Sequence, residues 1–214
     1  MKTRDVACVL LLVGVALATK TPVHAVSGRV YNGTDYHIAN EAGEEYLDTH
    51  AWYIEYYDTY TKNAVGKYAA LTAAELHKAT GLTVQATATV STFGGSSCPG
   101  HLASGSHRIL IKLDSATNRS YTYMCGLNNH SDSAKVMLSL PNWKSGDEIY
   151  KRHVVSHELG HALGLGHPAS CAQPGADPLM CGDYWGGYWT ASYAQQYTPY
   201  DIAGFKQLVR NRVL

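Results

Sequence analysis

An α+β fold is what the sequence predicts: a mixed five-stranded twisted sheet with one helix in the second half of the chain and another near its C-terminal end. Three observations carry this. Five short segments rich in β-branched and aromatic residues are bounded by turn-forming residues. Three other segments place apolar residues at helical spacing. Their order is strand, helix, four strands, helix, long loop, helix, an order that gives a sheet with helices packed on it.

Ala51 to Tyr60 is rich in Tyr, Trp and Ile and reads as the first strand. Lys67 to Thr80 carries Ala, Leu and Glu at helical spacing and stops at Gly81, a helix closed by a C-terminal glycine. Thr83 to Thr92 alternates β-branched residues and forms the second strand. Gly94 to Gly105 is loop, followed by strands at Arg108–Leu113, Tyr121–Leu127 and Val136–Leu140. Ile149 to Leu165 is an amphipathic helix with Val154, Val155, Leu159, Ala162 and Leu163 on its apolar side. From Gly166 to Thr198 the density of Gly, Pro and aromatics excludes regular structure. The last helix opens with a capping Thr198, Pro199 in the first turn and Asp201 three residues after the cap. Ile202, Phe205, Leu208 and Val209 supply its buried side.

The ends and the composition set the setting for this domain. Lys2 and Arg4 precede a thirteen-residue apolar run, Val6 to Ala18, and Val23-His24-Ala25 has small residues flanking one position, as at a signal-peptidase site. A helix of that length reaches about 20 Å, short of a ~30 Å hydrocarbon core, so residues 1–25 read as a secretory signal. Residues 26–45 are a short leader or N-terminal arm, and 46–214 the folded domain. The chain of 214 residues has seventeen basic and seventeen acidic residues, and fourteen and sixteen after residue 25. That balance gives no electrostatic reason for a nucleic-acid or anionic-membrane partner. A monomer acting on protein or peptide is the expectation, with no membrane contact once the signal is removed. Beyond residue 25 four cysteines remain, Cys98, Cys125, Cys171 and Cys181. An even count in an exported chain reads as two disulfides. Three pairings exist; Cys98–Cys125 with Cys171–Cys181 closes the most local loops.

The decisive segment is His157-Glu158-Leu159-Gly160-His161-Ala162-Leu163-Gly164-Leu165-Gly166-His167. On a helix His157 and His161 are one turn apart, so both imidazoles share a side and can hold one ion. Glu158, next to the first ligand, can serve as a base without being a ligand. Gly164 lets the chain leave the helix sharply, and the turn returns His167 as a third ligand. Three His on a tetrahedral zinc leave one position open, the mark of a catalytic site. In a chain of this composition the spacing arises by chance on the order of once in ten thousand sequences.

That string resembles the H-E-x-x-H-x-x-G-x-x-H signature of the metzincin zinc endopeptidases. Pro178-Leu179-Met180 resembles their methionine-containing turn, with Met180 thirteen residues after His167. Pro199-Tyr200-Asp201-Ile202-Ala203-Gly204-Phe205 is similar to the start of the C-terminal helix of the matrixins, the matrix-metalloproteinase-like group, although Tyr200 stands where they carry the first of two aspartates. The matrixin cysteine switch is missing, and Gly182 stands where astacins and serralysins place a Tyr after the turn Met. The resemblance implies a zincin-like catalytic domain over residues 46–214, secreted and dependent on one Zn²⁺. It also implies that Tyr121–Leu127 is an antiparallel edge strand. No residue set indicates calcium. His101, His107 and His130 read as surface histidines.

Taken together these residues imply a secreted zinc metalloendopeptidase. Zinc on His157, His161 and His167 polarises the scissile carbonyl, Glu158 acts as general base and then acid, and substrate extends along Tyr121–Leu127. Tyr184, Trp185 and Tyr188, around Gly186-Gly187, are candidates to wall a substrate pocket. The alternative is a secreted, zinc-containing but non-proteolytic module that presents the Tyr184–Trp189 surface to a protein or glycan. The presence of Glu158 beside the ligands favours the enzyme.

Overall fold

The computed structural model describes residues 50–91, 107–127, 130–166, 179–180 and 195–211. In chain order the elements are β1 (Trp52–Tyr56), α1 (Thr59–Thr80), β2 (Val84–Val90), β3 (His107–Asp114), β4 (Tyr121–Leu127), β5 (His130–Ser139), α2 (Leu140–Ser145), α3 (Glu148–Ala162) and α4 (Pro199–Asn211). The fold is α+β, with the expected mixed five-stranded sheet.

The sheet runs β2-β1-β3-β5-β4. β1 pairs in parallel with β2 and β3, and β3 in parallel with β5, while β4 lies antiparallel to β5 at one edge. Alternate residues face the helices, as the period of two requires. Trp52, Ile54 and Tyr56 from β1, Ile109 and Ile111 from β3, and Ala134, Val136 and Leu138 from β5 form one buried cluster with α1 and α3. From α1 the cluster takes Val65, Tyr68, Ala69, Ala73 and Leu76, and from α3 Val154, Val155, Leu159 and Ala162. Each large aliphatic side chain buried there contributes roughly 1.5–3 kcal/mol relative to exposure. α1 lies against β1, β2 and β3, and α3 against β4 and β5, so α3 packs on the half of the sheet that carries the edge strand.

Several boundaries differ from the sequence expectation, each for a local reason. The first strand stops at Tyr56, because Asp58 in an extended conformation accepts from Thr61 N at 2.6 Å and caps α1. Helix α1 therefore starts eight residues before Lys67. β5 begins at His130, ahead of Val136, since antiparallel pairing continues down to Leu127↔His130. Leu140, expected to end that strand, instead opens α2, with Ser139 as cap and Pro141 in the first turn. α3 stops at Ala162, short of Leu165. Gly164 there has φ +97°, its N–H reaches His161 O at 2.8 Å, and Leu165 N reaches Gly160 O at 3.0 Å. This is a Schellman closure, which needs the left-handed conformation glycine adopts without strain. Among the described residues no helix is long and apolar enough to cross a membrane.

Residues 1–25 and 26–45 lie outside the described residues, as do His101, Cys98, His167, Cys171, Cys181, Tyr184, Trp185 and Tyr188. Cys125 belongs to β4, but its side chain and its pairing lie outside them too. His107 corrects an expectation. It is 2% exposed and its ring lies 4.4 Å from that of Trp52, because the parallel pairing Trp52↔His107 places the two side by side on the buried side of the sheet.

Candidate active site

α3 carries the site. Asp147 caps it by accepting from Tyr150 N at 2.7 Å, and every residue from Arg152 to Ala162 is buried. His157 and His161 project one turn apart with ring centroids 4.5 Å apart and their Nε2 atoms 2.9 Å from each other. Their other ring nitrogens decide what those Nε2 atoms are. His157 Nδ1 lies 3.0 Å from Leu179 O, and His161 Nδ1 lies 2.7 Å from Leu165 O. A carbonyl only accepts, so each Nδ1 carries a hydrogen, and in its neutral form each ring presents a lone pair at Nε2.

At 2.9 Å the two Nε2 atoms are close enough to share one cation between their lone pairs. Metal–nitrogen bonds of about 2.0–2.1 Å set at about 90–110° place two ligand nitrogens roughly 2.9–3.4 Å apart. The donor set thus fits a divalent metal, with the Nδ1–H···O=C bonds that fix ligand orientation already made. Of the three predicted ligands, the described residues bring two together; among them no third His, Cys, Asp or Glu joins the pair.

Glu158 is 5% exposed and turns toward the edge of the sheet. Its Oε2 accepts from Thr122 Oγ1 of β4 at 2.8 Å, and its main-chain O lies 2.9 Å from the same hydroxyl. Thr122 carries no motif in the sequence. Nothing local marks it, since it lies 36 positions from Glu158.

The carbonyl that orients His161 comes from the Schellman turn itself, so Gly164 acts on the site through Leu165 O. The carbonyl that orients His157 belongs to the Leu179-Met180 turn, both of whose residues are fully buried. That turn lies where the methionine turn was expected, with Pro178 outside the described residues. Met180 packs against α3 at Gly160, where an added Cβ would stand 2.4 Å from Met180 Sδ. Only glycine at position 160 admits this approach. Asp201, fully buried at the start of α4, holds the turn from behind. Its Oδ2 accepts from Leu179 N at 2.9 Å and its Oδ1 from Met180 N at 3.3 Å. The Thr198 cap completes the arrangement, donating to Asp201 Oδ2 from N at 2.8 Å and from Oγ1 at 2.7 Å.

A second buried network fixes α3 about its own axis. Arg152 Nη1 donates to Tyr68 O at 2.9 Å and to Thr72 Oγ1 at 2.6 Å, while Nη2 pairs with Glu75. Thr72 Oγ1 is 2.9 Å from Ser156 Oγ, and Tyr197 OH donates to Ser156 O at 2.6 Å. Burial raises the Glu75 carboxyl above its usual range, with Arg152 pulling the other way. Burial, with Asp201 nearby, lifts the Tyr197 phenol well above 10. One turn before His157, His153 is 2% exposed and lies face to face with the His157 ring at 5.7 Å. Its i−4 spacing from His157 is the sequence signal for this position, which lies outside the H-E-x-x-H string.

No family model matches the chain. Over 95 residues it is 30% identical to Serralysin A of Dickeya chrysanthemi, which covers 44% of this chain and 17% of that protein. Among solved structures, myroilysin is similar with a TM-score of 0.32 and 18% identity, over 56% of this chain and 50% of that one. That TM-score is too low to bear on the fold, which rests on the topology described above. The chain spans about a sixth of the length of the curated relative it matches, and its likeness to a serralysin is confined to that segment.

Proposed function

We propose that the chain is a secreted, zinc-dependent endopeptidase of the metzincin type, with its catalytic domain in residues 46–214. One observation carries the reading: two buried imidazoles bring their Nε2 atoms to 2.9 Å of each other, and Glu158, next to His157 in sequence, turns its carboxylate to the strand β4. The likeness to a serralysin supports it at that level. The matrixin-like character rests on the likeness of Pro199-Tyr200-Asp201-Ile202-Ala203-Gly204-Phe205 to the start of the matrixin C-terminal helix.

His157 and His161, with His167, would hold the metal. Zinc there would supply Lewis-acid polarisation of the scissile carbonyl and acidify water. Glu158 takes the proton of the attacking water and passes it to the departing amine nitrogen. An extended peptide would add to β4, the edge strand among the described residues, through main-chain hydrogen bonds, which would bring its backbone past Glu158. Tyr184, Trp185 and Tyr188 are proposed as pocket walls, and Cys98–Cys125 with Cys171–Cys181 as disulfides. Residues 1–25 would direct export.

The test is cleavage of a denatured protein by the purified mature chain, abolished by chelator and restored by Zn²⁺. Glu158→Gln should lose at least about 100-fold in kcat, the range for a removed general base, while still binding zinc. Full turnover in that variant removes the role given to Glu158.

A further inference from the structure

Resting on the peptidase reading, the geometry points to Thr122 as a positioning residue for the base: we propose that its hydroxyl tethers the Glu158 carboxylate to the strand that receives the substrate. A glutamate side chain has three rotatable bonds, and an untethered one samples several rotamers. Here one hydroxyl faces two acceptors of the same residue, Oε2 at 2.8 Å and the main-chain O at 2.9 Å. It carries one hydrogen, so it donates to one of them at a time or forks between both. The side chain and its own main chain are thus gathered by a single group, which restricts Glu158 at both ends. Because a hydroxyl also accepts, the pair stays bonded while Glu158 carries a proton.

The position of Thr122 gives the tether its consequence. Among the described residues β4 is the outermost strand on its side of the sheet, and Thr122 points toward α3 between Tyr121 and Tyr123, which alternate to the other side. Thr122 pairs with Val136 of β5, whose side chain belongs to the buried cluster, so the strand cannot shift locally without disturbing the core. A peptide that adds to β4 is therefore registered against the same backbone that aims the base. Docking and alignment of Glu158 become one event, and the contribution appears in turnover more than in binding.

Thr122→Val keeps the shape of the side chain and removes the hydroxyl, and Thr122→Ser restores it. The expected result is a drop of about 10-fold in kcat for Thr122→Val with KM within about 2-fold, and recovery of most of kcat in Thr122→Ser. Zinc affinity by chelator competition should stay within about 2-fold of the wild type, since the hydroxyl of Thr122 bonds to Glu158 and, among the described residues, to neither His157 nor His161. The Glu158 carboxyl ¹³C resonance, assigned by its loss in Glu158→Gln, should move in Thr122→Val and return in Thr122→Ser. Unchanged kcat in Thr122→Val, or a Thr122→Ser variant as slow as the Val variant, overturns the proposal. So does a loss of zinc affinity matching the loss of turnover, which would mark a purely structural role. Should the Val variant fail to fold, the contrast of Thr122→Ala with Thr122→Ser decides by the same criteria. A wild-type protein without chelator-sensitive cleavage overturns the peptidase reading itself, whereas an active wild type with an unaffected Thr122→Val overturns the tether alone.

Discussion

Replacing Asp201 should damage the proposed metal site from a distance, through the turn it holds. Its carboxylate is fully buried and accepts four hydrogen bonds, from Leu179 N, Met180 N, Thr198 N and Thr198 Oγ1. In Asp201→Ala the two turn amides are left buried without an acceptor, at about 1–3 kcal/mol each, while the partly exposed Thr198 recovers water. A total near 4 kcal/mol is expected, equivalent to roughly 10 °C in Tm for a domain of this size. The second effect is specific. Leu179 O orients His157 through Nδ1, so a loosened turn should weaken zinc binding by about 10–100-fold, the usual range for a disturbed ligand-orienting bond. Asp201→Asn grades the effect. The three donors at Oδ2 can keep an amide oxygen, and only the longer 3.3 Å bond from Met180 meets an N–H₂ group, for a cost of about 1–2 kcal/mol. Urea unfolding of the chelated protein and zinc competition against a chromogenic chelator separate the two quantities. Zinc affinity like the wild type's in both variants, at any stability, would refute the path from Asp201 to His157.

Two further expectations follow from the same packing. Gly160→Ala sets a Cβ 2.4 Å from Met180 Sδ and should cost about 1–3 kcal/mol by overpacking; Met180→Ala should relieve it, so a double-mutant cycle should give a coupling above about 1 kcal/mol. Additive penalties would mean that Met180 does not rest on Gly160. Glu75 has a carboxyl raised above 4.5 chiefly by burial, so the folded state binds its proton more tightly than the unfolded state does. The sign is then set: the group carries no penalty below its unfolded value, stability falls as pH rises from about 4.5 through the raised folded value, and levels off above it. Subtracting urea unfolding curves of Glu75→Gln from those of the wild type at pH 4 to 7 should show the wild type losing ground over that window, and a flat difference would contradict the assignment.

What was legible in the sequence was what short-range geometry decides. The 3.6-residue period puts His157 and His161 on one side of α3, and Gly164 announces the turn whose Leu165 carbonyl orients His161. The cap at Thr198 and the edge strand Tyr121–Leu127 were likewise readable, the first from capping chemistry and the second from resemblance. Boundaries were read less well where two local signals competed, as at Tyr57–Tyr60, whose aromatics suggest strand while Asp58 starts a helix. The burial of His107 is not legible locally, because it depends on Trp52, more than fifty residues away, and not on its own neighbours.

The sequence by itself determined the chemistry on offer: two imidazoles at helical spacing, a carboxylate beside the first, and a glycine that turns the chain after the second. Helical periodicity and the left-handed conformation open to glycine are properties of a few consecutive residues, so they survive without knowledge of the fold. Only the tertiary structure decided how those groups are held. Leu179 O meets His157, Asp201 meets the Leu179-Met180 turn, Arg152 meets Thr72 and Glu75, and Thr122 meets Glu158, each across more than twenty residues of chain. Such partners become neighbours only when burial of the shared core brings their elements together, and no pattern within a single element encodes them.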